Sequence, residues 1–115
     1  MTIAITGATS MLGVATIKNC ISNNISVLTF VRKGSSKIER LPSSSLIKIV
    51  ECDLEQMKDF DVDKLSADVF IHFGWAFTDK TGRNDVSKQL ENVQYTIDAV
   101  HNEKKLGCRK FVGAG

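Results

Sequence analysis

Proline, tryptophan and tyrosine occur once each in 115 residues, and several functional classes fall away with what is scarce. The single proline, Pro42, and the absence of repeats or low-complexity stretches leave no interdomain linker; Ser43-Ser44-Ser45 is only a loop. The three cysteines, Cys20, Cys52 and Cys108, are odd in number, far apart and in no metal-ligand spacing. That excludes a disulfide framework and a metal site, and they read as the reduced thiols of a cytoplasmic protein. No apolar run approaches the ~20 residues of a membrane span, and Met1 leads straight into a strand-like run with no signal-peptide pattern. Fifteen Lys and Arg against 13 Asp and Glu give a net charge of +2, with no basic cluster to engage nucleic acid. A content of 43% hydrophobic and 24% charged residues is that of one ordinary globular domain.

What is present begins at once. The apolar run Ile3-Ala4-Ile5 is followed by Thr6-Gly7-Ala8-Thr9-Ser10-Met11-Leu12-Gly13. A strand that breaks at one glycine and enters a helix at a second is how a dinucleotide-binding unit opens. Gly7 permits a tight exit and a close approach of pyrophosphate to the backbone, and Gly13 permits close packing of the helix on the strand. Thr9, Ser10, Met11 and Leu12 lie between them, where the helix N-terminal amides face the phosphate. Ser10 stands where a third glycine is usual; its hydroxyl either caps the helix or touches the phosphate.

Beyond this turn the chain alternates strand and helix. Residues 2 to 6 read as the first strand, and Leu12, Ala15, Ile17 and Ile21 as the apolar face of a helix ending near Asn23-Asn24. Ser26 to Arg32 is a second strand, a short helix runs to Leu41, Leu46 to Asp53 is a third strand, and Asp68 to Gly74 a fourth. A polar loop is expected over residues 76 to 84. Val86, Leu90, Val93, Ile97 and Val100 then recur at helical spacing up to Gly107, and Arg109 to Gly113 is a fifth strand. Apolar strands alternating with helices predict an α/β fold, a doubly wound parallel sheet of five strands in the order 3-2-1-4-5.

In such sheets ligands bind beyond the carboxyl ends of the strands, where the strand order reverses. At the end of the second strand, where NAD recognition favours an acidic residue, the chain has Arg32 and Lys33, with Ser35 and Ser36 close behind. Arginine matches a 2′-phosphate and so predicts NADP over NAD; the alternative is a solvated basic turn. Asp53 either accepts from the adenine amino group, with Leu54 on the ring, or caps the next helix, or both. Gly74 lies where the backbone passes the nicotinamide side, and Phe73 and Trp75 either wall that pocket or belong to the core. His72 reads as a packed, hydrogen-bonded strand residue. Asn92, beside the apolar stripe with Gln89 and Thr96, faces the cofactor phosphates, bonds the neighbouring loop, or is solvated.

Taken together, the TGATSMLG turn, Arg32, Asp53-Leu54, Ile71-His72-Phe73-Gly74-Trp75, Asn92-Val93-Gln94-Tyr95-Thr96 and Lys110-Phe111-Val112 resemble extended short-chain dehydrogenases/reductases. More narrowly, they are similar to the NAD(P)-dependent sugar epimerase/dehydratase group, over essentially the whole chain. The resemblance implies a Rossmann fold and transient removal of hydride from a carbon of a nucleotide-sugar. It implies cofactor contacts from Gly7, Ser10, Gly13, Arg32, Asp53, Gly74 and Asn92.

The family's chemistry rests on a Tyr-x-x-x-Lys pair, whose lysine lowers the tyrosine pKa. Tyr95 has Ala99 four positions on, so by the resemblance it is not that tyrosine, and no residue here is catalytic. The chain therefore reads as residues 1–115 of a dinucleotide-binding domain, lacking later strands and the substrate region and inactive alone. The competing reading is a non-catalytic, NADP-binding redox-sensing regulator. Some family members pair through the long helix and its successor, which admits a homodimer; the fifth strand, left as an edge, is a second route to self-association.

Overall fold

The alternation resolves into a five-stranded parallel sheet of order β3-β2-β1-β4-β5 in a computed structural model that describes residues 1–60, 65–76 and 80–113. The strands are β1 (Thr2–Thr6), β2 (Ser26–Val31), β3 (Ile47–Glu51), β4 (Val69–His72) and β5 (Lys110–Gly113). β1 is central, with Ile3 in register with Val27 on one side and Val69 on the other. Residues 3–6 and 27–31 are buried on both faces, as their unbroken apolar character requires. β3 and β5 are edges, and their outward residues are exposed. The expected third and fourth strands run past the observed ladders, because Cys52-Asp53 and Phe73-Gly74 leave the sheet to build the site.

Each face of the sheet has its own core. Ile3, Ile5, Ile17, Cys20, Val27 and Val31 pack under α1 (Met11–Ser22). On the other face Ala4, Leu28, Phe30, Met57, Phe70 and Ala99 form the second core. Phe70 is fully buried, its ring stacked between Phe30 and Phe111 at centroid distances of 6.1 and 5.5 Å. α1 buries Gly13, Ile17 and Cys20, whereas Leu12 and Ala15, expected on its apolar face, are exposed. Leu12 lies about 100°, and Ala15 roughly 160°, around the helix from the residues that touch the sheet. Asn24 ends this segment with a φ of 58°.

A single helical turn, α2 (Lys80–Arg83), occupies part of the expected polar loop. α3 (Val86–Lys105) starts at Asp85, whose Oδ1 accepts from Lys88 N–H at 3.2 Å. The inner face of α3 is largely polar: Asn92, Asp98, Asn102 and Glu103 are buried there beside Ala99. Its apolar stripe faces outward, with Val86 73%, Leu90 62%, Val93 51% and Ile97 45% exposed. Ala99 lets the helix close on the sheet; Asn102 Nδ2 donates to Met57 O, while its buried Oδ1 has no hydrogen-bond partner among the described residues. Among the described residues no helix is long and apolar enough to cross a membrane.

Candidate cofactor site

The exit from β1 determines the floor of the site. Gly7 has φ +66°, and a Cβ there would stand 2.7 Å from Gly74 N and from the Phe73 carbonyl carbon. Only glycine lets the turn lie against the end of β4. Ser10 braces the turn, donating from Oγ to Gly7 O at 2.7 Å and accepting from Gly13 N–H at 3.0 Å. Its hydroxyl therefore caps the helix. A Cβ on Gly13 would lie 2.3 Å from Gly7 O, so this glycine sets the helix-to-turn packing. α1 has no acidic residue in its first turn, which leaves its positive N-terminal dipole uncompensated beside the turn.

The ends of β2 and β3 form the next wall. Arg32 is exposed, and Ser35, Lys37 and Arg40, from the 3₁₀ turn Ser36–Arg40 and its cap, join it around the same cleft. Arg40 Nη1 donates to Thr9 O at 3.4 Å, which ties this basic rim to the glycine turn. Asp53 precedes the 3₁₀ turn Leu54–Asp59, with its N–H held by Gln56 Oε1 at 3.2 Å. Its Oδ1 accepts from Lys33 N–H at 2.8 Å, so the carboxylate bridges the two strand ends.

The far wall comes from the end of β4. Phe73 N–H donates to Thr6 O at 3.2 Å, and Gly74 N–H to Thr6 Oγ1 at 3.0 Å. Trp75 is 49% exposed and donates from Nε1 to Gln89 Oε1 at 2.9 Å. Asn92 pairs with the backbone of Ala76 twice, at 2.8 Å each way. Phe73 both lines the cleft and packs on the α1-side core, so the two readings of that aromatic hold together.

These walls enclose a cleft of about 600 Å³, within the range of small-molecule sites. Of the residues expected in it, Gly7, Thr9, Ser10, Arg32, Asp53, Leu54, Phe73, Gly74 and Trp75 line it. Met11, Leu12, Gly13 and Asn92 do not: Met11 and Leu12 project outward at 84% and 58% exposure, Gly13 packs beneath the turn, and Asn92 spends its amide on Ala76. Lys37, Arg40, Glu55 and Tyr95 line it unannounced. The spacing of Lys37 and Arg40 on one turn was a usable signal; nothing local marks Tyr95.

Among the described residues the cleft offers no activated acid, base or nucleophile. Burial first, and then the Glu91 carboxylate, push the Tyr95 hydroxyl up from its ordinary value, and it donates to Glu91 Oε2 at 3.3 Å. Burial, aided by Asp53, pushes the Cys52 thiol up to about 11, so it stays protonated at neutral pH. Cys108 is pushed to about 11 by burial, Glu103 and Asp68, and all three cysteines are free. Among the described residues no group of His, Cys, Asp or Glu could hold a metal. The cleft presents the glycine turn in the middle, cations at one end and an aromatic at the other.

Comparison with known proteins agrees with that geometry. A model of the NAD dependent epimerase/dehydratase family matches residues 3–115. None of the curated proteins matches the chain in sequence. Among solved structures, a UDP-galactose 4-epimerase superposes with a TM-score of 0.81 at 17% identity, covering 100% of this chain and 38% of its own. The Bordetella bronchiseptica enzyme WbmG, in complex with NAD, gives 0.78 at 20% identity, covering 98% of this chain and 36% of its own. The UDP-glucose 4-epimerase of Thermotoga maritima, with UDP-glucose, gives 0.77 at 18% identity, covering 98% and 37%. The chain thus spans less than two-fifths of the length of each of these structures.

Proposed function

The chain belongs to the NAD dependent epimerase/dehydratase family, and from that premise we propose that it is the cofactor-binding part of an enzyme acting on a nucleotide-sugar. The glycine turn braced by Ser10 at the N-terminus of α1 carries this reading. A diphosphate suits that position because the N-terminal amides of α1 face it and the first turn of the helix carries no acidic residue. The cofactor supplies, when bound, a reversible acceptor for hydride from a sugar carbon. This chain's residues bind and orient it: the turn takes the diphosphate, Asp53 and Leu54 the adenine, and Gly74 with Trp75 the nicotinamide side.

Arg32, Ser35, Lys37 and Arg40 converge on the ribose end and favour NADP over NAD. Trp75, exposed on the cleft wall, reports binding by energy transfer to the reduced nicotinamide. NADPH should bind more tightly than NADH by about tenfold or more, the worth of one charge-assisted hydrogen bond, and Arg32→Ser should abolish the difference. Equal affinity for NADH in the native chain refutes the NADP assignment.

The catalytic pair is assigned to sequence beyond residues 1–115, since Tyr95 has Ala99 four positions on and a raised pKa. The same observation favours, as a second reading, a non-catalytic redox-sensing regulator. Turnover of a UDP-sugar by the full-length protein, with none by residues 1–115, separates the enzyme from the regulator.

A further inference from the structure

His72 closes β4 and is 4% exposed, yet both its ring nitrogens have partners. Nδ1 lies 2.6 Å from Thr6 Oγ1, and Nε2 lies 3.2 Å from Thr96 Oγ1. The hydroxyls determine the direction of these bonds, because each has one proton to give. Thr6 Oγ1 accepts from Gly74 N–H and keeps a proton to give, which a neutral ring donating from Nε2 takes at Nδ1. Thr96 donates to Asn92 O at 3.1 Å, so its oxygen is left to accept from Nε2–H. The result is one unidirectional chain, Gly74 to Thr6 to His72 to Thr96 to Asn92, with a neutral ring protonated on Nε2.

One end of this chain lines the cleft at Gly74, and the other touches the cleft wall through Ala76. Gly74 N is the atom against which Gly7 packs, too close for any side chain between them. Asn92 holds Ala76 through both its amide atoms. Gly74 and Ala76 flank Trp75, so the backbone on each side of the exposed indole is held by a residue of the relay, by Thr6 Oγ1 on one side and by the Asn92 side chain on the other. We propose that His72 is a positioning residue that sets the spacing between the phosphate turn and the Gly74–Ala76 wall, and with it the affinity for the dinucleotide; this rests on the cofactor reading above.

The surroundings suit a neutral ring. β1 presents Thr6, β5 presents the Phe111 ring at a centroid distance of 6.2 Å, and α3 presents Thr96. None carries a charge, and burial alone holds the imidazole below its ordinary pKa.

The test uses residues 1–115 as they are. Thr6→Val removes the hydroxyl that joins Gly74 to His72, and Thr6→Ser restores it. Thr96→Val breaks the other arm away from the central strands. His72→Asn keeps an acceptor near the Nδ1 position, while His72→Gln keeps an amide near Nε2. NADPH affinity by Trp75 energy transfer should fall about tenfold in Thr6→Val and return to within about twofold in Thr6→Ser. His72→Asn should bind better than His72→Gln although both lose comparable stability in urea. Nitrogen-15 NMR of the imidazole should show a bare Nδ1 and a protonated Nε2, a signature independent of any cofactor.

A proton on Nδ1 overturns the relay. So does native affinity in folded Thr6→Val and Thr96→Val. Were the native chain to bind no dinucleotide while the NMR signature held, the cofactor reading would fail and the relay would stand as a device of the fold alone.

Discussion

Replacing Gly13 with alanine should destabilise the chain, against the ordinary rule for helices. Gly→Ala inside a helix normally gains about 1 kcal/mol of propensity. Here the new Cβ would meet Gly7 O at 2.3 Å, Ala8 O at 2.7 Å and Ala8 C at 2.8 Å. All three are backbone atoms, so no rotamer change relieves them. Restoring an ordinary separation of about 3.5 Å needs a shift of the first turn of α1 by ~1 Å. That shift works against Ile17 and Cys20, packed on the sheet, and overpacking of this kind costs roughly 1–3 kcal/mol. It also stretches the Gly13 N–H to Ser10 Oγ cap, which contributes about 1 kcal/mol. The net loss is then ~2 kcal/mol, and with a urea m-value of roughly 2 kcal/mol/M the midpoint falls by about 1 M. Circular dichroism and Trp75 emission would follow it. Ala15→Gly, at an exposed position of the same helix, is the control and should cost about 1 kcal/mol by propensity alone. A Gly13→Ala midpoint equal to or above that of the native chain would refute the packing argument.

Three further outcomes are expected. Ser10→Ala loses both the cap and the bond to Gly7 O and should cost about 1 kcal/mol, with weaker NADPH binding; an unchanged affinity would mean that the turn holds its shape without the hydroxyl. Burial lowers the His72 pKa below its ordinary 6.5, so between the folded value and 6.5 the unfolded chain binds more protons. Its contribution to stability is full above about 6.5 and is lost as pH falls through the folded value; urea midpoints between pH 7.5 and 5 should fall less steeply in His72→Gln, and identical slopes would contradict this. The outward stripe of α3 should support a homodimer, so Leu90→Asp is expected to give a monomer by sedimentation with stability changed by no more than ~0.5 kcal/mol. If Val112→Asp on the β5 edge dissociates it instead, the strand edge is the interface.

Sequence alone determined the parallel sheet, its strand order and the glycine turn after β1. The reasons are local: apolar runs buried on both faces leave no choice of side, and glycines mark where backbone must come close. It also placed Arg32, Asp53 and Gly74 at strand ends, where topology puts a ligand. Only the tertiary structure decided which way α3 faces. Periodicity reveals that a helix has two sides, but not that Asn92 and Asn102 would find backbone partners inside while Leu90 and Val93 turned out. The tertiary structure alone, too, drew Tyr95 to the cleft and joined His72 to Thr6, 66 residues earlier in the chain. A hydrogen bond between such distant residues exists only once the strands have paired, so no local pattern in the sequence announces it.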